Sequence, residues 1–163
     1  MNIGTCYNER VKRELIVLCH NIRSTYNVGS FFRTADGAGV TKLVLSGYTA
    51  RPPHRGIAKV ALGAETWLPW EYVKAPGPWL KRMKKAGYHV AVLEQTPRAG
   101  NIFTWPPRWP LILIVGNEVR GVSPALQRCA DTHLEIPMRG RKESLNVASA
   151  MAIAVYSLLY GHT

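Results

Sequence analysis

Short runs of consecutive apolar residues alternate along the chain with stretches whose apolar positions recur every three or four residues. The runs Glu14 to Cys19, Lys42 to Gly47, Tyr88 to Glu94, Leu111 to Val115 and Thr132 to Pro137 have strand length, and several are apolar throughout. A further short strand is expected near the end of "TWLPWEYV". Between them, "NVGSFFRTADGAG" predicts a helix opened by Asn27 and closed by Gly37 and Gly39, and "IAKVAL" a short helical piece. "PWLKRMKKAG" predicts an amphipathic helix with Trp79, Leu80 and Met83 on one face and Lys81, Arg82, Lys84 and Lys85 on the other. "SPALQRC" starts with Ser123 as a cap and Pro124 at the first helical position. An apolar helix closes the chain. Strands that are apolar on both faces and alternate with helices imply an α/β fold, a mostly parallel sheet with helices on both faces.

The length, 163 residues, suits one domain spanning 1–163. A chain of this size buries roughly 70% of its unfolded surface and needs no metal or disulfide to hold it. The three cysteines, Cys6, Cys19 and Cys129, form no Cys-x-x-Cys pair, which points to free thiols in a reducing cytoplasm. Cys129 with His133, and Cys19 with His20, have ligand-like spacings, but no second pair completes either, so no metal is expected. The N-terminus lacks the apolar core of a signal peptide. The uncharged stretch Ser144 to Gly161 is diluted by Asn146 and three serines, and is expected to be a buried helix rather than a membrane span.

Charge narrows the partners. The chain carries 21 basic and 10 acidic residues, a net +11, which favours a polyanion and most simply a nucleic acid.

In sheets of this kind ligands bind beyond the carboxyl ends of the strands. That rule selects the loops after Cys19, after Val115 and after Ile136. In the first, Gly29 and Arg33 share a helix face, so the guanidinium could lie over the bare glycine toward Asn27; a pairing of Arg33 with Asp36 is the alternative. In the second, "GNEVRGVS" is close to a phosphate loop, but Val122 stands where its lysine belongs. Its Glu118 is too far ahead of Ser123 to serve that helix, and a surface pair with Arg120 is the alternative. In the third, Pro137 and Gly140 make a turn, a basic cluster follows, and Ser144 and Asn146 lie where the last helix begins, with Ser144 a candidate cap.

Taken together, "NVGSFFRTADGAGV", "LILIVGNEVRGVSP" and "IPMRGRKESLNVASAMA", with "KVALGAE" between the first two, resemble the SpoU/TrmH family of RNA ribose 2'-O-methyltransferases. The resemblance runs from about Leu15 onward. It implies a C-terminal trefoil knot, which general topology rules alone would disfavour, a homodimer, and S-adenosylmethionine bound in the knot. Motif matching assigns the cofactor to Leu93, Gly116, Ile136, Met138, Ser144 and Leu145, with Gly116 letting main chain approach the adenosyl group. It assigns the methyl transfer to Asn27, Arg33, Glu118, Ser144 and Asn146. A guanidinium is a poor base near neutral pH, so holding a phosphate and a developing oxyanion asks less of Arg33 than proton removal. RNA contacts are expected from Arg10, Lys12, Arg13, Arg51, Arg55, Arg139, Arg141 and Lys142. "LEQTPRAG" and "AETWLPW" are similar to segments of members that act on tRNA. Ribosomal RNA, and a non-catalytic RNA-binding module on the same fold, are the other readings.

Overall fold

A computed structural model describes residues 13–161. A seven-stranded sheet organises them, in the order β3-β2-β1-β6-β4-β7-β5. The strands are β1 (Leu15–His20), β2 (Lys42–Ser46), β3 (Trp70–Val73), β4 (His89–Leu93), β5 (Gly100–Asn101), β6 (Leu111–Val115) and β7 (Thr132–Glu135). Every pairing is parallel, so all seven carboxyl ends open onto one edge. The helices are α1 (Thr25–Ala38), α2 (Arg55–Ala61), α3 (Ala64–Trp67), α4 (Pro76–Lys85), α5 (Pro124–Gln127) and α6 (Val147–Tyr160).

The uninterrupted apolar strands are explained by cover on both faces. Leu15, Val17, Cys19, Leu111, Leu113 and Val115 face a core shared with α1, α2 and α6. Ile16, Leu18, Ile112 and Ile114 face a second core closed by Trp79 and Leu80 of α4 and Leu126 of α5. Phe31 and Phe32 of α1 are fully buried, each contributing about 1.5–3 kcal/mol of burial. β7 lies between β4 and β5, which are consecutive strands in the chain. Leu93 and Gly100 flank the same residue, Leu134, from opposite sides. The segment 94–99 must therefore cross one face of β7, while the chain leaving β7 runs back along the sheet edge to α6. This crossing is consistent with the expected trefoil topology.

Several helix starts differ from those the sequence predicts. Ser24, not Asn27, opens α1; its hydroxyl accepts from Asn27 N at 3.3 Å. This frees the Asn27 side chain. Gly39 closes α1 in the left-handed region at φ 80°. Asn146, not Ser144, caps α6, accepting from Ala148 N at 2.8 Å and Ser149 N at 3.3 Å. The Ser123 side chain makes no capping bond, because main-chain Ser123 O already takes Leu126 N and Gln127 N in a helix of only one turn. β5 is two exposed residues and carries no apolar signal. Among the described residues no helix is long and apolar enough to cross a membrane.

Candidate active site

The three loops chosen from the sequence meet at the carboxyl edge of the sheet, and Glu118 is their junction. Its Oε2 accepts from Arg23 N at 2.9 Å and its Oε1 from Ser24 N at 3.0 Å and Asn27 Nδ2 at 2.9 Å. Asn117 Nδ2 reaches Oε2 at 3.5 Å. Oε1 thus has two donors and Oε2 one, with the Asn117 amide at the limit of reach because its two hydrogens go to Asn21 O and the Tyr48 hydroxyl. Burial pushes the Glu118 pKa up, but the hydrogen bonds from Arg23, Ser24 and Asn27 outweigh it, and the carboxyl titrates below its ordinary value. The third loop joins through Asn146, whose Nδ2 donates to Asn27 Oδ1 at 3.4 Å. Asn27, Glu118 and Asn146 are therefore one chain of contacts, whose two links through Asn27 span 91 and 119 residues.

Asn117 fixes the second loop. Its Nδ2 donates to Asn21 O at 3.0 Å and to the Tyr48 hydroxyl at 2.9 Å, while its Oδ1 accepts from Val119 N and Arg120 N. Asn21 sits at φ 57°, a conformation asparagine tolerates better than most residues. Sequence reasoning passed over Asn21, Tyr48 and Glu94. Asn21 and Glu94 each directly follow a strand end, the position from which the other candidates were chosen.

Beside this junction lies a cavity of about 180 Å³. All six residues matched to the cofactor line it: Leu93, Gly116, Ile136, Met138, Ser144 and Leu145. Val147 and Ala150 add the first turn of α6. The charged residues of its wall are Glu94, Glu118 and Glu135, with no lysine, arginine or histidine. In a chain of net charge +11, that lining favours a cationic ligand with apolar parts. Glu94 also clamps the cavity, its Oε2 accepting from Val122 N at 2.7 Å.

Two glycines have packing roles that the sequence does not reveal. A Cβ on Gly116 would lie 2.5 Å from Gly121 O and 2.6 Å from Val122 N. The bare backbone there lets the loop close on itself through the Asn117–Gly121 bridge, and it lines the cavity as a consequence. A Cβ on Gly29 would lie 2.6 Å from Ile57 O. Gly29 is buried under α2, while Arg33 is exposed, so the glycine is a helix-packing contact and not a bed for the guanidinium. Neither alternative ion pair forms among the described residues. Asp36 instead accepts from Trp67 Nε1 at 2.8 Å. Arg33 makes no hydrogen bond there and is not drawn into the Glu118 cluster. Ser144 is exposed at the cavity wall.

The basic residues scatter. Arg10 and Lys12 lie outside the described residues. Arg13 donates from Nη1 to Leu159 O at 2.8 Å, tying down the end of α6, which removes part of its donor capacity from the RNA role expected of it. Arg51 lies over the Tyr72 ring at 4.2 Å. Arg55 is exposed at the start of α2, and Arg139, Arg141 and Lys142 are exposed on the loop that borders the cavity. Among the described residues no group of three or more His, Cys, Asp or Glu could hold a metal. The fully buried Cys19 thiol is pushed up in pKa by burial alone.

Comparison with known proteins extends this picture. Residues 14–156 match the SpoU rRNA Methylase family. The chain is 32% identical over 149 residues to a tRNA (guanosine(18)-2'-O)-methyltransferase of Aquifex aeolicus, covering 91% of this chain and 70% of that protein. It is 32% identical over 145 residues to a 23S rRNA (uridine(2479)-2'-O)-methyltransferase of Streptomyces viridochromogenes, covering 86% of this chain and 50% of that one. The solved structure of an AdoMet-bound rRNA methyltransferase from Sinorhizobium meliloti agrees with a TM-score of 0.83 at 27% identity, over 90% of this chain and 56% of that one. The chain thus spans between half and about two thirds of the length of these relatives.

Proposed function

Because the chain belongs to the SpoU rRNA Methylase family, we infer that it transfers a methyl group from S-adenosylmethionine to a ribose 2'-hydroxyl of structured RNA. The observation that carries this reading is the cavity wall. Three carboxylates without a basic residue, set among Leu93, Ile136, Met138 and Leu145, suit a donor that combines an adenosine with two cationic centres. When bound, S-adenosylmethionine supplies a methyl group activated on a sulfonium. Two similar solved proteins carry AdoMet.

The chain's own residues divide the remaining work. Glu118, bonded by three donors, holds Asn27 and the start of α1 in place, and with its pKa held below the ordinary value it is a weak proton acceptor. Asn27 links that carboxylate to Asn146 and the loop after β7. Arg33, exposed and without a hydrogen bond among the described residues, is free to grip a phosphate of the incoming RNA and to stabilise the developing 2'-oxyanion. The phosphate so held relays the 2'-hydroxyl proton to solvent. Ser144 and Asn146 border the place where ribose and donor meet.

Of the two curated relatives above, the one whose length the chain spans more fully modifies tRNA, and tRNA is the acceptor we favour over ribosomal RNA. The residues form one methyltransferase domain that works in the cytoplasm. Tyr156 and Tyr160 leave an aromatic pair half-exposed on α6, 47% and 42% accessible, which supports a homodimer covering that face. A stable monomer by light scattering at low micromolar concentration would remove the dimer. The function itself is tested with labelled donor and total RNA, followed by mapping of the methylated ribose. Transfer to tRNA is expected, and Arg33→Ala should lower turnover by about 10²–10³-fold. Arg33→Lys should recover little of this, because an ammonium lacks the two-pronged geometry. Near-normal turnover by the lysine variant refutes the geometric role, and absence of any RNA methylation refutes the function.

A further inference from the structure

A second cleft opens on the same edge of the sheet, beyond β2 and β3. It is about 650 Å³ and is lined by Tyr48, Arg51, His54, Trp70 and Tyr72, with no carboxylate. Its walls are held before any ligand arrives. The Trp70 ring meets Phe32 edge-on at 6.4 Å, and the Tyr72 hydroxyl donates to Gly47 O at 2.9 Å. The Arg51 guanidinium lies over the Tyr72 ring at 4.2 Å. Tyr48 is 60% exposed. It is nevertheless fixed at two points: its N–H donates to Asn21 Oδ1 at 3.2 Å, and its hydroxyl accepts from Asn117 Nδ2. Asn117 also lines the donor cavity. One residue therefore joins the aromatic cleft to the reacting site.

We propose that this cleft is a nucleobase subsite, which stacks a base of the acceptor RNA adjoining the reacting ribose. The proposal rests on the methyl-transfer reading for the position of that ribose. The exposed Tyr48 ring, the partly buried Trp70 and Tyr72 rings and the guanidinium plane of Arg51 are surfaces of the kind unstacked bases pack on. Arg51 and His54 in a wall free of carboxylates accept the accompanying phosphate, and an acidic or hydrophobic protein segment would leave the stacking faces unused. The subsite gives the chain a means of holding the nucleotide next to the methylated one outside the donor cavity. Tyr48 passes occupancy to Asn117, and so to the loop carrying Glu118.

The test uses the full chain with tRNA transcripts substituted with 4-thiouridine or, in parallel, 6-thioguanosine. After near-ultraviolet irradiation the adducts are mapped by mass spectrometry. Adducts within residues 48–54 and 70–72 are expected. Tyr48→Ala and Arg51→Ala, both at exposed positions, should each raise the KM for RNA, about tenfold for the lost stacking ring. Arg51→Ala should keep the Kd for S-adenosylmethionine within about twofold of normal, and Tyr48→Ala, which also loses the acceptor for Asn117, should in addition lower kcat. Tyr48→Phe keeps the stacking face and loses the acceptor for Asn117, so its KM should stay near normal while kcat falls. Folding of each variant is checked by its melting temperature. Unchanged KM in both alanine variants, or adducts confined to other segments, overturns the subsite. If the normal chain methylates no RNA, the enzymatic reading falls separately. Equilibrium binding of the same transcripts then decides: a loss of about tenfold in Tyr48→Ala keeps the subsite, and unaltered binding removes it.

Discussion

The two clefts at the carboxyl edge of one sheet are made by different means. The donor cavity is small, about 180 Å³, and its shape comes from main chain folded back on itself at Gly116, Gly121 and the β7–α6 loop. Its charged lining is three carboxylates. The neighbouring cleft is wider, about 650 Å³, and its character comes from side chains, namely three aromatic rings, an arginine and a histidine. On the proposed reading, the contrast sorts ligands by charge at close range: a cationic donor on one side, an anionic polymer on the other. It also sets what each region tolerates. A cavity shaped by backbone contacts fails when a single methyl group is inserted, whereas a cleft made by exposed rings loses affinity in steps and keeps its fold.

The largest effect is therefore expected at Gly116. In Gly116→Ala the new Cβ meets backbone atoms, Gly121 O at 2.5 Å and Val122 N at 2.6 Å, and backbone cannot rotate aside. The bonds Asn117 N to Gly121 O and Gly121 N to Asn117 O, at 3.1 and 2.9 Å, must open. A stability loss of about 1–3 kcal/mol is expected, together with loss of calorimetric donor binding. Gly29→Ala is the control. Its Cβ would also strike backbone, Ile57 O at 2.6 Å, so a similar loss in melting is expected. Gly29 itself does not line the cavity, however, and donor affinity should fall less. Equal loss of donor affinity in the two variants would erase the distinction between a packing glycine and a cavity glycine.

Glu118→Gln comes next. The amide keeps the shape but replaces one acceptor oxygen with a donor, which then faces Arg23 N–H or Ser24 N–H. Hydrogen bonds to a charged group contribute about 1.5–3 kcal/mol each, so turnover should fall by roughly tenfold or more while donor Kd changes less. The pH dependence follows from the lowered pKa of Glu118. A carboxyl held below its unfolded value contributes stability that is complete above the unfolded pKa. That contribution disappears as pH falls through the folded one. The melting difference between the normal chain and Glu118→Gln should thus be constant from neutral pH down to the ordinary carboxylate range and shrink below it. A difference that widens on acidification would reverse the assigned sign.

These two residues also show how far the sequence can be read. The strands of the central sheet are legible because cover on both faces leaves an unbroken apolar run, as in Leu111 to Val115. Placing chemistry at the strand ends needs only the parallel arrangement, and it brings Glu118, Asn27 and Asn146 together correctly. What binds Glu118 is not legible: Arg23 and Ser24 contribute main-chain N–H groups, which no side-chain motif encodes. The reason for Gly116 is hidden in the same way, because a glycine required by a ligand and one required by a neighbouring carbonyl look alike in sequence. Helix starts slip by two or three residues where several cap-competent side chains follow one another, as Ser24 and Asn27 do, and Ser144 and Asn146. The aromatic cleft gathers Tyr48, Trp70 and Tyr72 from one loop and one strand, and no spacing announces it.

The smallest effect separates two serines that sequence treats alike. Both precede a helix and both belong to residue types that favour the capping position. The Ser24 hydroxyl accepts from Asn27 N, and its own N–H is bonded to Glu118. Ser123 caps nothing with its side chain, and α5 is a single turn whose N–H groups are served by main-chain carbonyls. Ser24→Ala should therefore cost about 1 kcal/mol of stability. It should also lower turnover slightly, since the first turn of α1 carries Asn27. Ser123→Ala should fall within about 0.5 kcal/mol of the normal chain and leave donor binding alone, although the loop it ends forms the cavity wall. Chemical denaturation of the two variants side by side resolves a difference of this size. Equal losses would mean that the Ser24 bond, long at 3.3 Å, adds nothing, and that Glu118 alone holds the start of α1.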